Sequence, residues 1–268
     1  MTKKQTLSDA GPPQGAKDPL GGSVVHAVTS VGAPFFQRTR IKICGLTREQ
    51  DVDAAVAAGA DAVGFVLYDK SPRYVSPERA AEMARRLPPF VTPVLLFVNE
   101  HAAKIIAACA IISGASVQFH GDETPEECLN ATHQGARPFL RAARIPLGDG
   151  AGRFDLVKFA QDYSKAQAIL LDAQVDGYGG GGQAFNWSLL PPNVNAHLVL
   201  SGGLNAANVA DGLLQVRPRC KTLAVDVSSG VEVSGSGNKG IKDPAKINQF
   251  VAAVRAADRQ LAEMSKNV

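Results

Sequence analysis

The sequence predicts a single (β/α)8 barrel of the TIM-barrel class, preceded by a disordered N-terminal extension, and three observations predict it. From Ile41 onward, short β-branched runs alternate with longer stretches of helical periodicity, and the alternation repeats eight times. Such alternation implies a parallel sheet, because parallel neighbours need a crossover that a helix supplies. The chain has 268 residues, 45% of them hydrophobic, which matches the roughly 250 residues usual for such a barrel. No G-x-G-x-x-G follows the first strand, so an open dinucleotide-binding sheet is disfavoured.

The strands are expected at 40–44, 61–66, 92–97, 115–119, 138–142, 167–172, 196–200 and 222–227. Helical periodicity marks 76–86, 100–112, 205–215 and 243–260. In the last, Asp243-Pro244 supplies a start signal, and Ile247, Phe250, Val251 and Val254 share one face. Between strands six and seven, a glycine-rich loop and Pro191-Pro192 leave room for a short helix at most.

Residues 1–38 differ from the 39–268 barrel domain. Gly11-Pro-Pro-Gln-Gly and the residues after it are Gly/Pro-rich and aperiodic, so they cannot bury enough apolar surface to offset their ordering entropy. They read as a disordered tail; the alternative, a targeting peptide, sits poorly with Asp9 and Asp18. Residues 1–40 carry the whole net charge of +3, and the remainder balances. With no basic stripe, nucleic acid is excluded as a partner. No run of about 18 apolar residues exists to cross a membrane. Cys44, Cys109, Cys128 and Cys220 are scattered without a CxxC, which argues against zinc or a disulfide framework and fits a reducing cytoplasm.

Candidate chemistry collects at the carboxyl ends of the strands, where ligands bind on this fold. Ile41-Lys-Ile-Cys-Gly45 ends strand one on a thiol, which reads either as a catalytic group or as a small packed residue. Strand parity puts Lys42 with Cys44 and Gln118 with His120. Polar strand residues, Arg141, Asp172 and Asp226 among them, are expected to point inward and line the mouth, because the outer face lies under helices. Strands one and eight are neighbours in a closed barrel, so Lys42 and Asp226 are expected to pair beneath Cys44, in a structural capacity.

Two glycine-rich turns follow strands seven and eight, Ser201-Gly202-Gly203-Leu204 and Ser228-Ser229-Gly230-Val231. Glycines let backbone N–H groups approach an anion, and a helix opened at Asn205 would add its dipole. Both in place point to a phosphorylated small-molecule substrate. Arg73, after strand two, reads as a surface residue or as a fork for a carboxylate. Strand six ends on Asp172, and Gly177–Gln183 follows as a linker or a mobile cover.

Over residues 39–255 the chain resembles the phosphoribosylanthranilate isomerases of tryptophan biosynthesis. The likeness rests on ordered motifs: KICGLT at 42–47, SPR at 71–73, FVN at 97–99, VQFHG at 117–121, LLD at 170–172, SGGL at 201–204 and DVSSGVE at 226–232. The resemblance implies Cys44 as general base and Asp172 as general acid of an Amadori rearrangement. It implies Arg73 on the anthranilate carboxylate and Gly202, Gly203, Ser229 and Gly230 on the phosphate. No cofactor and no metal is implied, since the substrate's nitrogen serves as electron sink. The family's usual GGTGK before F-D-W is replaced here by Gly179-Gly-Gly-Gly-Gln183 before Phe185-Asn186-Trp187. A related barrel, indoleglycerol phosphate synthase, resembles lysine and glutamate chemistry, whereas strands one and six here end on Cys and Asp.

Overall fold

Strand runs such as Ile41–Cys44 and Leu95–Phe97 are buried on both faces, as in a parallel sheet covered by helices on both sides or covered on one and closed on itself. A computed structural model describes residues 38–147, 154–174 and 184–264, and in it the sheet is a closed barrel of parallel strands. The strands are β1 Arg40–Cys44, β2 Ala62–Val66, β3 Thr92–Phe97, β4 Ser116–Phe119, β5 Phe139–Ile145, β6 Ala168–Ala173, β7 Val194–Leu200 and β8 Cys220–Val227. β8 closes on β1 with Lys42 opposite Asp226. The tail, save Arg38, and the predicted cover Gly177–Gln183 lie outside the described residues.

Parity divides the core into an outer and an inner part. Ile41, Ile43, Phe65, Leu95, Phe119, Leu171 and Val225 face the helices and join one large cluster. The opposite faces fill the barrel: Ala142, Ala168, Leu170 and Val199 lower down, and Cys44, Val66, Leu96 and Val98 at the mouth.

The helices are α1 Glu49–Ala57, α2 Pro77–Ala84, α3 Ala102–Ile111, α4 Pro125–Ala131, α5 Leu156–Asp162, α6 Val209–Val216 and α7 Pro244–Met264. Their starts are legible as caps. Ser76 accepts from the Arg79 amide, Thr124 and Glu127 form a capping box, and Asp243 accepts from Ala245 N at 2.8 Å. Ile247, Phe250, Val251 and Val254 of α7 are all buried. Between β6 and β7, among the described residues, only a 3-10 turn at Trp187–Leu189 forms, capped by Asn186 accepting from Ser188 N. An Asn at 186 keeps the acceptor oxygen this cap needs.

Several element ends shift from expectation, two of them near the site. α6 begins at Val209, not 205, because Asn205 and Asn208 tie residues 203–208 into a side-chain-bonded turn instead: Asn208 Nδ2 donates to Gly203 O at 3.0 Å and Asn205 N donates to Asn208 Oδ1 at 2.9 Å. β5 continues three residues past 142, which matters for the site. At the opposite end of the barrel, Thr39 is fully buried. Its amide and hydroxyl donate to Asp258 of α7, its carbonyl accepts from Arg255 at 2.7 Å, and Arg38 pairs with Asp61.

Candidate active site

Each inward-facing strand end contributes a side chain to the mouth. On β1, Cys44 is buried above Lys42, whose Nζ lies 2.8 Å from Asp226 Oδ1. Asp226 Oδ2 in turn accepts from Ser201 Oγ at 3.3 Å. The expected pair beneath the thiol is therefore present, and it reaches the turn after β7. Burial opposes the Lys42 charge, but Asp226 and the Cys44 sulfur outweigh it and hold the ammonium above its ordinary range. For Cys44, burial pushes the thiol up, Lys42 pulls it down, and Asp226 adds to the rise, for a net upward shift. The desolvated site and the carboxylate behind the lysine outweigh the help that Lys42 gives.

Room for this cluster comes from Gly64, the β2 residue opposite Cys44. A Cβ there would lie 2.6 Å from Cys44 Sγ and 3.0 Å from Lys42 Nζ. Gly64 is not among the site residues expected from sequence; its signal is a glycine interrupting an otherwise β-rich strand.

On β6, Asp172 is buried, with Oδ1 accepting from Ala173 N at 3.0 Å and Oδ2 lying 2.9 Å from His120 Nε2. The other ring nitrogen, Nδ1, lies 3.0 Å from Gln118 Nε2. The parity that grouped Gln118 with His120 thus places both behind the acid.

Arg141 does not line the mouth. It points outward, where Nη1 donates to the carbonyls of Phe119 (3.3 Å), Gly121 (3.1 Å) and Ala142 (3.0 Å) and pairs with Glu123 at 3.4 Å. Its guanidinium lies 4.9 Å from the Tyr163 ring centroid and 5.6 Å from that of Phe159. Carbonyls and aromatic faces solvate a cation without water, so the rule that outward polar groups are excluded fails here. The inward basic residue of β5 is Arg144, opposite Asp172 in register and 3.6 Å from Asp122. Ending the strand at 142 hid it.

Arg73 is buried against Gly45, where a Cβ would meet its Cδ at 2.6 Å. Its Nε and Nη2 donate to Glu232 at 2.7 and 2.9 Å, so one edge of the fork is already filled by the protein. Glu232 also accepts from Lys242 Nζ at 2.9 Å and from Gly240 N at 3.1 Å. Burial works against ionised Glu232, yet Arg73 and Lys242 hold its carboxyl down at about 2. Burial lowers Lys242 below its ordinary value, against the pull of Glu232. Neither Glu232 nor Lys242 was singled out from sequence.

The two glycine turns meet. Gly202 and Gly203 take positive φ of 73° and 65°, and a Cβ on Gly202 would lie 2.8 Å from Asp172 Oδ1. A Cβ on Gly230 would collide with the carbonyl of Leu204, so the turn after β8 packs backbone to backbone on the turn after β7. Ser229 and Gly230 lie in a 3-10 turn, Ser229–Val231, and Lys242 Nζ braces it by donating to Ser228 O at 3.1 Å. Cys44, Arg73, Asp172 and both turns thus share one rim.

Comparison with known proteins fits this geometry. The profile of N-(5′phosphoribosyl)anthranilate (PRA) isomerase matches residues 41–253. An N-(5′-phosphoribosyl)anthranilate isomerase of Methylibium petroleiphilum is 61% identical over 225 residues, covering 84% of this chain and 98% of that protein. Among solved structures, phosphoribosyl anthranilate isomerase from Thermotoga maritima is 39% identical with a TM-score of 0.69, covering 81% of this chain and 99% of that one. A phosphoribosyl anthranilate isomerase solved in complex with reduced 1-(o-carboxyphenylamino)-1-deoxyribulose 5-phosphate is 38% identical with a TM-score of 0.66, over the same shares. A match running from the first barrel strand into the last helix, joined to relatives aligned over almost their whole length, places this chain in the N-(5′-phosphoribosyl)anthranilate isomerase family.

Proposed function

We propose that the chain carries out its family's reaction with Cys44 as general base and Asp172 as general acid. That reaction converts N-(5-phosphoribosyl)anthranilate to 1-(2-carboxyphenylamino)-1-deoxyribulose 5-phosphate in tryptophan biosynthesis. The observation that carries the residue assignment is the placement of a buried thiol on β1 and a buried carboxyl on β6 at one rim, with the joined glycine turns of β7 and β8 between them.

The phosphate sits on the backbone of Gly202, Gly203, Ser229 and Gly230, whose turn geometry leaves no side chain in the way. The anthranilate ring lies across the mouth on the apolar patch of Val66, Leu96, Val98 and Tyr68. Its carboxylate takes the edge of Arg73 that Glu232 leaves over. Asp172 gives a proton to the furanose oxygen as the C1′–O bond opens and the substrate nitrogen forms the Schiff base. Cys44 then removes the C2′ proton to give the enolamine, which tautomerises to the ketose. Burial favours the neutral thiol; the Schiff-base cation, added to Lys42, favours the thiolate when the base is needed.

No helix among the described residues is long and apolar enough to cross a membrane. Four free cysteines suit a reducing cytoplasm. The test is anthranilate fluorescence in purified protein given its substrate. The wild type consumes the signal, and Cys44→Ala and Asp172→Asn do not; turnover near the wild-type rate in either variant removes that residue from the mechanism.

A further inference from the structure

Behind Asp172, on the inward face of β4, stand two buried polar side chains that the roles above leave unused. Gln118 and His120 are 0% and 5% exposed. They join the acid in a row: Gln118 Nε2 to His120 Nδ1 at 3.0 Å, and His120 Nε2 to Asp172 Oδ2 at 2.9 Å. One atom of the row is unsatisfied. Gln118 Oε1 is buried without a hydrogen-bond partner.

An amide N–H on Nδ1 makes that nitrogen the acceptor, so the ring proton sits on Nε2 and points at Asp172. Asp172 then receives one donor on each oxygen, His120 on Oδ2 and the Ala173 amide on Oδ1. That arrangement suits the carboxylate, the form left after a proton has been delivered. A protonated Asp172 needs the reverse. Its O–H must find an acceptor at Nε2, the ring proton must then be on Nδ1, and Nδ1–H needs an acceptor of its own. Within the Gln118 amide the atom able to serve is Oε1, the one now unpartnered. A half turn of the amide exchanges Nε2 for Oε1 and moves no other group.

We propose that Gln118 and His120 are positioning residues that form a two-position relay for Asp172, a proposal that rests on Asp172 being the general acid. With the amide N–H on Nδ1, His120 donates to the carboxylate. With the amide turned, Nδ1–H donates to Oε1, and Nε2 accepts the O–H of the loaded acid. The O–H held at Nε2 in the loaded state swings to the furanose oxygen and its proton passes there, as that oxygen takes the electron pair of the breaking C1′–O bond and the substrate nitrogen's lone pair forms C=N. The imidazole changes tautomer by proton exchange with water. No electron is gained or lost.

The decisive variant is Gln118→Glu, which still bonds Nδ1 but only as an acceptor. A purely structural link would survive it; the relay would not. We expect affinity for reduced 1-(o-carboxyphenylamino)-1-deoxyribulose 5-phosphate to stay within about twofold and kcat to fall about 10- to 100-fold, the scale of a hindered proton transfer. In ring-¹⁵N-histidine spectra taken at a pH where Asp172 is ionised, His120 of the wild type should be protonated at Nε2 and that of Gln118→Glu at Nδ1. A kcat within twofold of wild type, or the same protonated nitrogen in both proteins, overturns the relay. Should the variant not fold, the wild-type spectrum decides: the protonated ring nitrogen should change from Nε2 to Nδ1 as acidification loads Asp172, and a proton that stays on the same nitrogen while the acid loads overturns the relay. Asp172→Asn separates the two levels. If that variant is inactive while Gln118→Glu is fully active, only the relay falls; if Asp172→Asn is active, the acid assignment falls first.

Discussion

The Cys44 side of the mouth and the Asp172 side, proposed as base and acid, are supported differently. Cys44 stands over a buried ion pair, Lys42 with Asp226, in space cleared by a glycine. Asp172 instead leans on groups that need carry no charge, the His120 imidazole and a backbone amide. A thiol is a poor anion in a dry site, so its side supplies a cation; a carboxyl ionises readily, so its side supplies directional hydrogen bonds. Charge tunes the weak acid, and geometry tunes the strong one.

The bluntest way to break this comparison is to remove each end of it. Cys44→Ala and Asp172→Asn should each lower kcat by about 10²–10⁴ while product-analogue affinity changes little. Because both groups act on one reaction path, the double variant should be scarcely worse than either single one, measured as a non-additive loss in kcat/KM. Full additivity would mean that the two sides act independently. A finer cut is Gly64→Ala, which intrudes on the sulfur and the ammonium together. We expect kcat to drop about 10- to 100-fold, as for a misplaced base, and urea unfolding to show about 1–3 kcal/mol of lost stability from overpacking. An unaffected kcat would show that the base side tolerates displacement.

Glu232 carries the charge-based design to the neighbouring Arg73. Its folded carboxyl titrates at about 2, below the ordinary value of 4.5. A group depressed on folding stabilises above its unfolded pKa, and that contribution is lost as pH falls from about 4.5 through about 2. Glu232→Gln should therefore remove about 2–3 kcal/mol at neutral pH and flatten the acid limb of a melting-temperature profile. An unchanged acid limb would mean that Arg73 and Lys242 do not hold this charge. The smallest effect is expected from deleting residues 1–37. Starting at Arg38 keeps its pair with Asp61, so melting should shift by no more than a few degrees and turnover by no more than about twofold. A large loss would move the domain boundary toward the N-terminus.

Sequence alone exposed the strands, the thiol, the acid and the pair beneath the thiol, because each is set by alternation along one strand or by adjacency of the first and last. What it hid depends on distant partners or on strand length. Arg73 and Glu232 are 159 residues apart, and nothing local says that they meet. Arg141 was misdirected because a rule about solvation ignored the carbonyls and rings of the outer layer, and Arg144 was missed with the last turn of its strand. Gly64 has no side chain to attract attention; its role is the space it leaves.

The closure of β1 on β8 has a consequence in time. Lys42 waits for Asp226, 184 residues later, and Thr39 waits for Asp258 in the last helix. At about 5–20 residues per second, the ribosome needs on the order of ten to forty seconds to make the partner that covers the first strand. Throughout that interval one edge of β1 stays open to any strand that can pair with it. The residues that complete the proposed catalytic rim are also the last to arrive, so a nascent barrel completes that rim and loses its vulnerable edge in the same event.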